Sequence, residues 1–166
     1  MITPDPIYAI DVLGYISPFL LLAIAAIILF AAQRYITLAF YITGFAATDA
    51  AVRLIKSALR VPRPGPQIPF MSEELKNSHV YGLPSGHSAE VFYTLAFMWF
   101  GARRIATPAF FYGGAFAALC MMYQRWAYRR HTVFQLLCGA VLGVFMGWAV
   151  AWLAKQRIQN SMIGVL

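Results

Sequence analysis

The chain has 166 residues, of which 61% are hydrophobic and only 11% charged. Soluble domains carry about a quarter charged residues, so this composition argues against a soluble globular protein and for one that lies in a bilayer. The formal charge of +7, from 13 Lys and Arg against 6 Asp and Glu, then points to anionic or phosphorylated lipid as partner and not to nucleic acid.

Residues 1–11 read as a polar lead-in broken by Pro4 and Pro6, without the basic leading region of a signal peptide. A first span is expected over about 12–32 and a second over about 35–55. Only Gln33-Arg34 separates them, which predicts an antiparallel helical hairpin. Asp49, Arg53 and Lys56 follow at spacings of four and three, along one helical face. Such a face either neutralises itself through an Asp49–Arg53 pair or supports a polar site at the membrane surface.

Residues 57–84 form the one long connection. Val61-Pro62-Arg63-Pro64-Gly65-Pro66 cannot be helical, whereas 71–77 suit a short interfacial helix with Ser72 as N-cap. The connection ends in Gly82-Leu83-Pro84-Ser85-Gly86-His87-Ser88. Further spans are expected over about 85–100, 105–123 and 132–153, with a polar tail from Lys155. Cys120 and Cys138 sit in apolar runs and read as buried fillers. The expectation is an all-α integral membrane bundle of about five helices, a single domain over 1–166.

Counting crossings brings Lys56 to Arg63, Ser85 to His87 and Arg125 to His131 to one membrane face, where an active site is expected. Three cations, two histidines, a hydroxyl and a glycine at a helix start suit a phosphate. Arginine offers a planar fork of donors and lysine a point charge. A helix N-terminus presents N–H groups to an anion, and Gly86 lets it approach the backbone closely. One histidine can attack phosphorus while the other protonates the departing oxygen. No carboxylate cluster suited to magnesium is present, and a zinc site at His87 and His131 would need further ligands, for which only Glu90 and His79 are near in sequence; neither a metal nor another cofactor is expected. Glu90 either tunes His87 or pairs with an arginine, His79 reads as a loop residue, and Arg129 and Arg130 read as interfacial anchors.

Lys56-x6-Arg63-Pro64, Pro84-Ser85-Gly86-His87 and Arg125-x5-His131, in that order, resemble the three-part signature of the type 2 phosphatidic-acid phosphatase superfamily. The resemblance covers about 49–150 and implies His131 as the nucleophile that becomes phosphohistidine and His87 as the acid for the leaving alcohol. It implies Lys56, Arg63, Arg125, Ser85 and the Gly86 backbone as the phosphate clamp. Two positions depart from it. Gln124 stands where a serine is common, and Gln135 where an aspartate usually orients the nucleophile. Gln135 lies four after His131, so its amide oxygen can accept the imidazole N–H without supplying negative charge. That leaves lower activity, or a charge supplied by Asp49 or Glu90, or a His-Thr-x-x-Gln variant resembling dolichyl-diphosphatase-like members, which implies a polyprenyl diphosphate substrate.

The expected activity is hydrolysis of a lipid phosphate or polyprenyl diphosphate. A lipid phosphotransferase and a catalytically impaired module that binds anionic lipid are the alternatives. Arg34, Arg103, Arg104, Lys155 and Arg157 lie away from the site face. Basic residues mark the cytoplasmic side, so the site is expected on the outer, periplasmic or lumenal face.

Overall fold

The computed structural model describes residues 6–68 and 81–163. Five helices follow in order: α1 (Pro6–Ala31), α2 (Tyr35–Leu59), α3 (Gly86–Ala102), α4 (Pro108–Ala127) and α5 (Val133–Ile163). The interfacial helix expected over 71–77, with Ser72, and the loop reading of His79 fall outside the described residues. Three helices, α1, α2 and α5, are long and apolar enough to cross a membrane, which fits an integral membrane protein. Large apolar side chains such as Phe19, Ile27, Phe116 and Val141 are exposed around the bundle, as a hydrocarbon solvent requires.

Three helix ends stand out against expectation. α1 begins at Pro6, inside the expected lead-in, because the first position of a helix has no use for the N–H that proline lacks. α5 continues to Ile163 through the expected polar tail. Its 31 residues span about 46 Å at 1.5 Å per residue, well beyond a hydrocarbon core of about 30 Å. Polar residues past Leu153 therefore extend the helix into the interface instead of ending it. α4 starts later than expected, at Pro108, where the Thr107 side chain accepts the Phe110 N–H as N-cap.

The centre of the bundle is the contact of α3 with α5, which run parallel. Gly139, Gly143 and Gly147 recur every fourth residue and form one stripe on α5. A Cβ on Gly147 would lie 2.6 Å from the Tyr93 carbonyl oxygen. One on Gly139 or Gly143 would collide with the carbonyl oxygen of Ser85 or Ala89. The stripe lets two backbones touch, the usual way for helices to associate in lipid. Ser88 Oγ adds a hydrogen bond of 2.7 Å to the Leu136 carbonyl at the site end. On the other flank of α3, Tyr93 donates its hydroxyl to the Tyr41 carbonyl at 2.8 Å, and Tyr41 OH meets Thr94 Oγ1 at 3.0 Å. These bonds tie α2 to α3 and satisfy buried hydroxyls. α1 lies against α4, where Gly14 makes room for Gln124 and the Cys120 carbonyl.

Candidate active site

The long connection is laced across its base. Gly82 N–H donates to the Val61 carbonyl at 2.8 Å, and Pro62 bridges to Tyr81. Ile68 N–H reaches the Tyr128 carbonyl at 3.2 Å, so the proline-rich segment runs from the end of α2 to the α4–α5 turn. At that turn the Arg125 carbonyl accepts from both Arg130 N–H at 2.9 Å and His131 N–H at 3.1 Å. Arg129 reverses the chain with a left-handed φ of 54°. The turn hands His131 into the bundle, where it is 5% exposed.

The proton on His131 can be assigned from its neighbours. Nδ1 lies 2.9 Å from the Gly82 carbonyl oxygen and 3.3 Å from Gln135 Oε1. The Gln135 amide is oriented independently, because Thr132 N–H donates to Oε1 at 3.2 Å and Nε2 donates to the Pro62 carbonyl at 2.9 Å. Both neighbours of Nδ1 are thus acceptors, so Nδ1 carries the hydrogen and Nε2 holds the lone pair. Burial, followed by the cations of Arg63, Lys56 and Arg125, pushes the imidazole pKa down to about 3, against the opposing pull of the Gly82 carbonyl. At neutral pH His131 is an uncharged base surrounded by positive charge.

Lys56, Arg63 and Arg125 act electrostatically on both His131 and His87, and His131 also acts on His87. The five residues converge at one end of the bundle. The Arg125 guanidinium donates to His87 Nε2 and lies 5.3 Å over the Tyr15 ring. Ser85 is the N-cap of α3, its Oγ accepting the Ser88 N–H at 3.4 Å. Among the described residues a Cβ on Gly86 would meet only Val52, at 3.7 Å. Gln135 also reaches α3, through its carbonyl, which accepts the Ser85 N–H at 3.0 Å.

Several expectations are corrected. The Asp49-Arg53-Lys56 face is split: Arg53 pairs with Asp49 on the exposed side, while Lys56 is buried toward the site. Neither Asp49 nor Glu90 is among the groups that shift His131 electrostatically, and its Nδ1 meets the Gly82 carbonyl and, as expected, the Gln135 amide oxygen. Arg130 is no interfacial anchor. It is fully buried and donates to Gln67 Oε1 at 2.5 Å, the same oxygen that Arg63 approaches at 3.4 Å. Gln124 is fully buried beside Gly14, its amide without a hydrogen-bond partner among the described residues.

Contributions from α1 and Gln67 were not expected from sequence. Tyr15 packs 6.2 Å from the His87 ring, and Asp11, one turn earlier, accepts the Tyr128 hydroxyl at 2.7 Å. Their spacing of four within an apolar helix was the available signal. Nothing local marks Gln67, whose role depends on a contact with Arg130.

The chain belongs to the PAP2 superfamily, whose family model matches residues 20–159. No curated protein and no solved structure matches it. Membership supports a phosphatase-type activity in general terms, and the described site has the charge for a phosphoester.

Proposed function

We propose that the chain, acting as one domain, hydrolyses a lipid phosphate or polyprenyl diphosphate through a phosphohistidine, without a metal. The observation that carries this reading is the His131 tautomer: Nδ1 faces two acceptors, which leaves the Nε2 lone pair to attack phosphorus. The attack forms an N–P bond and breaks the P–O bond to the lipid leaving group, whose oxygen takes a proton from His87. Water then attacks phosphorus, its proton returns to His87, and the N–P bond breaks to release inorganic phosphate. Lys56, Arg63, Arg125, Ser85 and the Gly86 N–H would hold the equatorial oxygens, where charge builds up.

An entering phosphate competes for the Arg125 guanidinium that now occupies His87 Nε2. Once drawn away, Arg125 leaves that nitrogen able to take the proton it must deliver. The weak basicity of His131, with a neutral glutamine in place of a carboxylate, favours a substrate with a good leaving group. A diphosphate, which loses a lipid monophosphate, meets that need better than a simple monoester. Basic residues at the far end of the bundle favour a site on the outer or lumenal face.

The test is phosphate release by detergent-solubilised protein, with EDTA present, from polyprenyl diphosphate and from phosphatidate. His131→Ala should lower the rate by several orders of magnitude. Equal release by this variant would remove His131 from the chemistry.

A further inference from the structure

At the end of the bundle away from the histidines, a cavity of about 560 Å³ opens between the α1–α2 turn, the α3–α4 turn and the late part of α5. Arg34, Arg103, Arg104 and Lys155 line it. Among the described residues no acidic side chain does, and the six acidic residues of the sequence, Asp5, Asp11, Asp49, Glu73, Glu74 and Glu90, all lie outside the segments that build it. The length of α3, 17 residues or about 25 Å, separates this cavity from His87. It cannot be part of the site described above.

One wall is the stretch of α5 beyond Leu153, including Ile158 and Gln159. Arg103 is held in place by stacking, its guanidinium carbon 4.1 Å from the Trp99 ring centroid. Trp99 and Phe100 also border a second, apolar cavity of about 270 Å³, which Phe92, Leu95, Phe111 and Val144 complete. A cluster of cations, with no acidic side chain among the described lining residues, therefore opens beside an apolar groove between α3, α4 and α5.

We infer that this end of the bundle binds an anionic phospholipid, its phosphate in the basic cavity and one acyl chain in the groove. Arginines and lysine supply charge and donors for the phosphate. Exposed cations alone hold a small anion weakly, because water competes with them. The adjoining groove is what favours a lipid over free phosphate. The length of α3 parts the cavity from His87, which makes the lipid a resident ligand and not a substrate of that site.

The experiment counts lipid retained by the purified full-length protein in native mass spectrometry, with phosphatidylglycerol or phosphatidylcholine of the same chains. Phosphatidylglycerol should be retained and phosphatidylcholine lost, with retention falling as salt screens the cations. An Arg104→Gln/Lys155→Gln variant should bind phosphatidylglycerol roughly tenfold or more weakly, while phosphate release stays within about twofold of the parent. Excess inorganic phosphate should leave the lipid in place; displacement would show that the cavity takes free phosphate and would overturn the assignment. Equal retention of the two lipids, indifference of retention to salt, or undiminished binding by the variant would each overturn it as well. The first two need only the unaltered protein, so a variant that fails to fold does not protect the idea.

Discussion

At Gln135 one side chain answers three groups at once: the His131 ring, the Thr132 N–H and the Pro62 carbonyl. A carboxylate could serve the first two but would repel the third. Gln135→Glu should raise the His131 pKa from about 3 toward the ordinary range, because a negative charge near Nδ1 favours imidazolium. Nitrogen-15 NMR of the imidazole would follow that midpoint. The same change should cost about 1–2 kcal/mol of stability through the lost Pro62 hydrogen bond, read as a lower Tm. Gly82 belongs to this arrangement too, since a Cβ there would lie 2.6 Å from Gln135 Oε1.

The depressed His131 pKa also has a consequence for folding. Between about pH 6.5 and 3 the unfolded chain takes up a proton that the buried imidazole refuses. The contribution of this group therefore makes stability rise with pH across that window and flatten above it. Thermal unfolding followed against pH should show a shallower slope in His131→Gln than in the parent. At the turn before it, Arg129→Gly should leave Tm unchanged or slightly higher, because glycine adopts the left-handed φ of 54° without strain.

Among elements, α3 and α5 carry the tightest steric demand. Gly143→Val should wedge them apart, since even a Cβ there collides with the Ala89 carbonyl. Overpacking of this kind costs about 1–3 kcal/mol or more and should lower both Tm and turnover. Gly113 in α4 has nothing within 4 Å of its would-be Cβ. Gly113→Ala should therefore be neutral or stabilise by about 0.5–1 kcal/mol through helix propensity.

The elements also show what a sequence can disclose. The helices were legible because long apolar runs carry few charges between short polar breaks, and the convergence of Lys56, Arg63, His87, Arg125 and His131 followed from counting crossings. The glycine stripe at 139, 143 and 147 was visible in its spacing but meaningless without its partner helix. The Gly82 carbonyl on His131 and the Gln67 link between Arg63 and Arg130 were not legible at all. They join residues far apart in sequence through groups that every residue, or any glutamine, possesses. The ends of α1 and α5 escaped because Pro6 and the late polar residues read as breaks, yet both are compatible with helix where they stand.

For the whole molecule, polarity is divided between two ends. The site end mixes acids and bases, whereas the far end carries Arg34, Arg103, Arg104 and Lys155 around a cavity with no acidic side chain among the described residues. If the cations of the site supply all the charge that phosphoryl transfer needs, chelation should not matter. Phosphate release should be the same within about twofold before and after dialysis against EDTA; loss of activity restored by a divalent ion would contradict the metal-free route.

The stripe on α5 has one further implication. Because its glycines repeat every four residues, sliding α3 along α5 by one repeat, about 6 Å, would seat two of the three notches again. Its spacing alone therefore does not single out one register. The choice falls to the bonds at one end, Ser88 to Leu136 and Ser85 to Gln135. The alignment of His87 with His131 is thus set by bonds at the same end of the bundle as the two histidines.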